Sequence, residues 1–238
     1  TLGGEINPSL LSLKQLRYLD LSENDFGGMP IPSFIGSLAS LEYLNLSDAR
    51  FGGTIPRQLG NVSTLHFLSL RGNYELDVKG GGLQWLRLLP HLEHLDLSWL
   101  NLTKAPDWLQ VINKLPSLVE LHLAGCELDH IPPLPSVNFT SLVVLDLSDN
   151  NFFSVMPRWI FSLRNLISLD LVSCGFVGQI PEGLRNLTSL VSLDVSYNQF
   201  KSLPASLFMM SSLVRLNLEY AFEAAFPIVL NPNMTNLR

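Results

Sequence analysis

The chain is short of cysteine, short of charge and without any long apolar run. Only two of its 238 residues are cysteine, which excludes a small domain stapled by disulfides. Lysine and arginine number 15 against 21 aspartates and glutamates, a net charge of −6. A nucleic-acid-binding face needs the opposite balance. A polar residue or a proline interrupts every apolar stretch before the ~18 residues that a membrane helix requires. Charged residues make up 15 % of the chain and apolar residues 47 %, so a sizeable core forms and intrinsic disorder is excluded. What the chain has in abundance is leucine, 50 residues of it.

The leucines are periodic. LKQLRYLDLSEN from Leu13 aligns with segments beginning at Leu38, Val62, Leu89, Leu115, Phe139, Leu163, Leu187 and Met210, and a tenth segment starts at Met234. Successive starts are 25, 24, 27, 26, 24, 24, 24, 23 and 24 residues apart. Self-similarity at such a period marks a solenoid, in which each coil buries its apolar face only against its neighbours. In x-L-x-L-x the side chains alternate, so Leu19 and Leu21 turn inward and the residues beside them face out. The pattern predicts an α/β-type leucine-rich-repeat solenoid over residues 1–238, with about nine complete repeats and a partial one at each end. A parallel sheet lines its concave side, and proline and glycine restrict the convex side to short 3-10 or irregular segments.

Three positions beyond the second strand leucine stand Asn24, Asn73, Asn150 and Asn198. An asparagine there can satisfy backbone groups as the chain turns off the strand. Cys126 and Cys174 occupy the same position in their repeats, whereas Ala49, Leu100 and Ala221 depart from it. Two coils separate the cysteines, so at ~4.8 Å per strand they lie beyond bridging distance. Both are expected as buried thiols of a structural ladder.

No residue set reads as catalytic, metal-binding or cofactor-binding. Asp20, Asp96, Asp146, Asp170 and Asp194 share the outward position between the leucines. Consensus on an open sheet explains them better than a glycosidase pair, since the repeat supplies no cleft and nothing that raises one pKa selectively. Lys79-Gly80-Gly81-Gly82 has its lysine before the glycines, the reverse of a phosphate loop. His66, His91, His94, His122 and His130 show no H-E-x-x-H spacing, although His66, His94 and His122 fall on or beside the strand face. The informative set is outward and off-consensus: Tyr18, Tyr43, Phe67 and His94 in successive repeats, with Arg71 and Trp99 nearby. Tyr197, Arg215, Glu219 and Tyr220 are further outward positions of this kind. Aromatic and arginine side chains of this sort dominate binding hot spots, so the first six are the candidate partner-binding residues.

After the ladder position most repeats run Phe, glycine, hydrophobe, proline, as in FGGTIP (51–56) and FVGQIP (176–181). This extension resembles the plant-specific class of leucine-rich repeats. GGEINPSLLSLKQLRYLDLSENDF, IPSFIGSLASLEYLNLSDARFGGTIPRQLGNVSTL and DWLQVINKLPSLVELHLAGCEL are similar to plant receptor-like proteins of the xylanase-receptor type. The resemblance implies the ectodomain of a non-enzymatic receptor in defence signalling, on the extracellular side of the plasma membrane; lacking the family's terminal caps, this chain is expected to be an internal piece of it or a truncated gene product. Its partners would be a protein, peptide or cell-wall-derived ligand and co-receptor or adaptor kinases, with no cofactor and no nucleic acid. No cap, kinase or membrane segment lies within the chain. Alternatives of the same repeat class are a polygalacturonase-inhibitor-like protein secreted to the cell wall and a receptor kinase ectodomain. N-x-S/T sequons at Asn61, Asn101, Asn138, Asn186 and Asn233 predict glycosylation in a secreted chain. Asn45, also in a sequon, is expected to stay bare because it lies on the strand face.

Overall fold

The computed structural model describes residues 2–78 and 81–223. Nine three-residue strands form one parallel sheet in chain order: Tyr18–Asp20, Tyr43–Asn45, Phe67–Ser69, His94–Asp96, Glu120–His122, Val144–Asp146, Ser168–Asp170, Ser192–Asp194 and Arg215–Asn217. Pairing is in strict register, so Leu19 lies opposite Leu44, Leu44 opposite Leu68, and so on to Leu216. Leu44, Leu68, Leu95, Leu121 and Leu145 are fully buried. Each such side chain contributes ~2 kcal/mol by leaving water, and each needs the coil on either side to do so. The fold is the α/β-type leucine-rich-repeat solenoid that the leucine period predicts.

The convex side follows from proline. Pro32, Pro56, Pro157, Pro181 and Pro204 each stand immediately before a five-residue 3-10 segment, where a fixed φ and a missing N–H cost nothing. One short α-helix, Trp108–Ile112, interrupts the series. It lies in a repeat that lacks the Phe-Gly-x-Ile-Pro text and buries Trp108, Leu109, Val111 and Ile112. The same text also makes two features that the repeat pattern does not predict: Gly52–Thr54 pairs with Glu75–Asp77, and Val177–Gln179 with Gln199–Ser202, as two-stranded sheets. Gly52 permits the close approach of the preceding coil on the other side of this strand, since a Cβ there would sit 2.6 Å from the Gly28 carbonyl oxygen.

The ladder asparagines hold adjacent coils together. Asn150 Nδ2 donates to the carbonyls of Leu123 (2.8 Å), Leu147 (2.9 Å) and Ser148 (3.1 Å), while its Oδ1 accepts from the N–H groups of Cys126 and Leu128. Asn73 and Asn198 repeat the arrangement, accepting from Phe51 and Phe176 of the preceding coil. Asn24 also spans its turn, but at the half-buried end of the sheet. At four of the five ladder positions without an amide, the previous coil donates to the main-chain carbonyl instead: Phe26 to Ala49, Leu102 to Cys126, Phe152 to Cys174 and Phe200 to Ala221. This substitution explains how alanine and cysteine are tolerated there. Both cysteines are buried and free, and each thiol donates to a carbonyl of the coil before, Cys126 to Leu97 and Cys174 to Leu147. Burial pushes the Cys126 thiol up to about 12 and the Cys174 thiol upward as well.

Candidate partner-binding site

The first outward position of each strand forms a column down the concave sheet: Tyr18, Tyr43, Phe67, His94, Glu120, Val144, Ser168, Ser192 and Arg215. Its first four members stack face to face. Ring centroids are 4.0 Å apart for Tyr18–Tyr43, 4.2 Å for Tyr43–Phe67 and 4.1 Å for Phe67–His94, with interplanar angles of 14° or less. Parallel strand spacing forces this contact, because side chains at partnered positions cannot diverge on so regular a sheet. Tyr18 at the end is 58 % exposed, while Tyr43 and Phe67 are half-buried by their neighbours. The Tyr43 hydroxyl beside it and then burial and Asp20 push the Tyr18 phenol up to about 12.

Arg71 and Trp99 stand outside this stack. Arg71 follows the third strand and faces Asp48 at 3.9 Å. Trp99 lies two residues past the second strand leucine, a position with positive φ in every repeat described, from Glu23 (φ 53°) through Trp99 (φ 66°) to Tyr220 (φ 48°). Its indole covers Gly125 of the next coil, where an added Cβ would lie 2.3 Å from the ring. Tyr197 and Tyr220 occupy the same turn position and make a second, tilted aromatic pair at 5.4 Å.

The second outward column runs Asp20, Asn45, Ser69, Asp96, His122, Asp146, Asp170, Asp194 and Asn217. Its carboxylates and amides close the turn after the strand, each accepting the N–H two residues on, as Asp146 does from Ser148 and Asn217 from Glu219. At Asp20, Asp146 and Asp194 the following serine adds its hydroxyl. Asp170 is followed by Val172 and receives only the backbone N–H. Burial, with Asp146 and Asp194 alongside, lifts its carboxyl to about 6. The expectation that nothing raises one of these pKa values selectively is therefore corrected; burial of Asp170 between the carboxylates of Asp146 and Asp194 is the reason.

Where the rings end, the two columns meet. His94 Nδ1 lies 2.8 Å from Glu120 Oε2, and His122 lies 3.7 Å from the same oxygen and 3.8 Å from Asp146 Oδ2. Burial lowers the His94 pKa against the pull of Glu120, whereas the Asp146 carboxylate raises that of His122. Local spacing conceals this cluster, because its members come from two strands 26 residues apart.

Of the sequon asparagines, Asn61, Asn101, Asn138 and Asn186 are exposed and off the concave sheet, while Asn233 lies outside the described residues, as does the tenth repeat start. Asn101 is engaged, donating to Glu127 and accepting from Thr103. Asn45 accepts from the backbone and hydroxyl of Ser47 beside the stack. An open groove of about 1110 Å³ lies away from the stack, between the 3-10 segments around Arg57 and Trp85. No helix among the described residues is long and apolar enough to cross a membrane.

Comparison with known proteins agrees with this architecture. The families described as Leucine rich repeat match residues 116–176 and residues 15–38, 40–62 and 189–210. Receptor-like protein EIX1 of Solanum lycopersicum is 44 % identical over 167 residues, covering 68 % of this chain. The chain spans only 16 % of that relative's length. Among solved structures, the ectodomain of the Arabidopsis thaliana receptor kinase GASSHO1/SCHENGEN3, in complex with CASPARIAN STRIP INTEGRITY FACTOR 2, aligns with TM-score 0.78 at 28 % identity. It covers 92 % of this chain and 26 % of its own. The Arabidopsis receptor kinase HAESA, in complex with the peptide hormone IDA and the co-receptor SERK1, aligns with TM-score 0.56 at 30 % identity, over 90 % of this chain and 31 % of its own. With its repeats matched along the chain and its curated relatives receptor-like proteins, this chain belongs to the leucine-rich-repeat family, in its plant receptor-like-protein branch.

Proposed function

We propose that the chain is a ligand-binding segment of the ectodomain of a plant cell-surface receptor, and that it binds a protein or peptide along the concave sheet. The stack of Tyr18, Tyr43, Phe67 and His94 carries this reading. A contiguous row of rings on an open face is uncommon on a surface with no partner, and aromatic rows offer rigid contact area at low entropic cost. Below the rings the row of Asp146, Asp170 and Asp194 favours a partner with an apolar part followed by a basic group. The HAESA complex supports a peptide ligand and a co-receptor as a further partner. The resemblance to the xylanase-receptor type makes defence signalling at the outer face of the plasma membrane the context we assign, with glycans at the exposed sequons.

The test is retention. The chain and a Tyr43→Ala, Phe67→Ala variant are immobilised, challenged with the secreted proteins and peptides of plant tissue, and the bound species identified by mass spectrometry. Species held by the native chain and lost by the variant are expected. Identical retention by both would return the rings to packing alone.

A further inference from the structure

We propose that His94, Glu120 and His122 form a site for a zinc-class divalent transition-metal ion on the concave sheet. Among the described residues, one set of histidine, cysteine, aspartate and glutamate side chains places three ligand atoms within 4.8 Å of one another, and it is this set. Two imidazoles and one carboxylate are a donor set suited to zinc, and three protein ligands leave a fourth position open. Glu120 faces solvent with 43 % of its side chain exposed, so that position opens onto the concave surface.

The supporting contacts are those that a metal site needs. His94 Nδ1 and His122 Nε2 both point at Glu120 Oε2, at 2.8 and 3.7 Å. Ligand atoms around a tetrahedral zinc ion lie about 3.3 Å apart, so small side-chain rotations bring the set to geometry. The other nitrogen of His122, Nδ1, faces Asp146 Oδ2 at 3.8 Å. That is a charge contact longer than a hydrogen bond, and a small rotation of the His122 ring closes it into the carboxylate–imidazole pair that orients a metal ligand. The His94 ring is fixed by its stack on Phe67, 4.1 Å away. Both histidines sit on three-residue strands locked into the sheet, a rigid mount for ligands. Glu120, Asp96 and Asp146 supply negative charge around the centre.

The site shares His94 with the ring stack, but metal alone, with no partner present, tests it. The 238-residue chain is titrated with zinc chloride at pH 7.5 by calorimetry, with magnesium as the hard-cation control, and its melting temperature is read in parallel. Saturable one-to-one zinc binding is expected, with a raised melting temperature and no response to magnesium. His122→Asn and His94→Phe remove ligands while keeping side chains that the same columns already carry at Asn45 and Phe67, so both variants are expected to melt cooperatively like the native chain. Each should abolish one-to-one binding, and Asp146→Asn should weaken it about ten-fold. A His66→Asn, His91→Asn variant should bind like the native chain. Absence of saturable binding, or binding that survives His122→Asn or is lost in His66→Asn, His91→Asn, would overturn the assignment.

Discussion

Tyr43 and Phe67, at partnered positions on adjacent parallel strands, stack with centroids 4.2 Å apart and planes 14° from parallel. Phe67 is thus held from both sides, by Tyr43 and by His94, yet neither ring enters the leucine core. Phe67→Ala should lose two stacking contacts at ~0.5–1.5 kcal/mol each. Leu68→Ala, which empties a fully buried site, should cost ~2–5 kcal/mol. Urea unfolding of the two variants checks the order; equal losses would make the ring a core residue and remove the case for a binding row.

The ladder asparagines are expected to differ in weight by position. Asn150→Ala leaves the Cys126 and Leu128 N–H groups and the Leu123 carbonyl without their partner in a buried turn. Unmet buried groups cost ~1–3 kcal/mol each, so a loss of about 3 kcal/mol or more is expected. Asn24→Ala, at the half-buried end of the sheet, should cost about 1 kcal/mol. Equilibrium unfolding that ranks Asn24 above Asn150 would contradict the coil-joining role.

Asp170 should leave a pH signature. Its carboxyl titrates at about 6 in the folded chain against 3.8 for the ordinary group. A raised folded pKa means that the folded state binds this proton more tightly. Stability through Asp170 therefore falls as pH rises from about 4 to 6, and the penalty is complete above that window. Asp170→Asn should accordingly stabilise the chain at pH 7 by ~1 kcal/mol, once partial exposure is discounted, and by nothing near pH 4. Asn45 and Asn217 already close this turn with an amide. Melting curves of both proteins from pH 4 to 7 measure the difference; a gap that does not change with pH would contradict the assigned titration.

The thiols should be inert in the folded chain. Cys126 and Cys174 are buried, unbridged and hydrogen-bonded to carbonyls. Iodoacetamide at pH 8 should label neither in the native protein and both after denaturation without reductant. A Cys126–Cys174 disulfide found by mass spectrometry would break the repeat register.

The sheet, the ladder and the ring column are legible in sequence because all three repeat at the coil period, and parallel pairing converts equal register into contact. The left-handed turn position is hidden. Only Gly72 and Gly125 mark it, while Glu23, Asp48, Trp99 and Tyr197 adopt positive φ there as well. Neighbouring coils impose that conformation, not the residue's own preference. The His94–Glu120–His122 cluster is hidden for another reason: it joins two columns across a strand pair, and no local spacing encodes that. Asp170 was marked only by valine standing where serine follows the other carboxylates, a difference whose effect depends on burial.

Binding along the ring column is tested most directly by covalent capture. A photo-reactive phenylalanine analogue is placed at Phe67, half-buried in the stack, or at Phe153, 68 % exposed outside the sheet. Each chain is irradiated with the secreted proteins and peptides retained by the native form. Cross-links from position 67 with none from position 153 are the expected result. Cross-links from 153 with none from 67 would contradict concave-face binding.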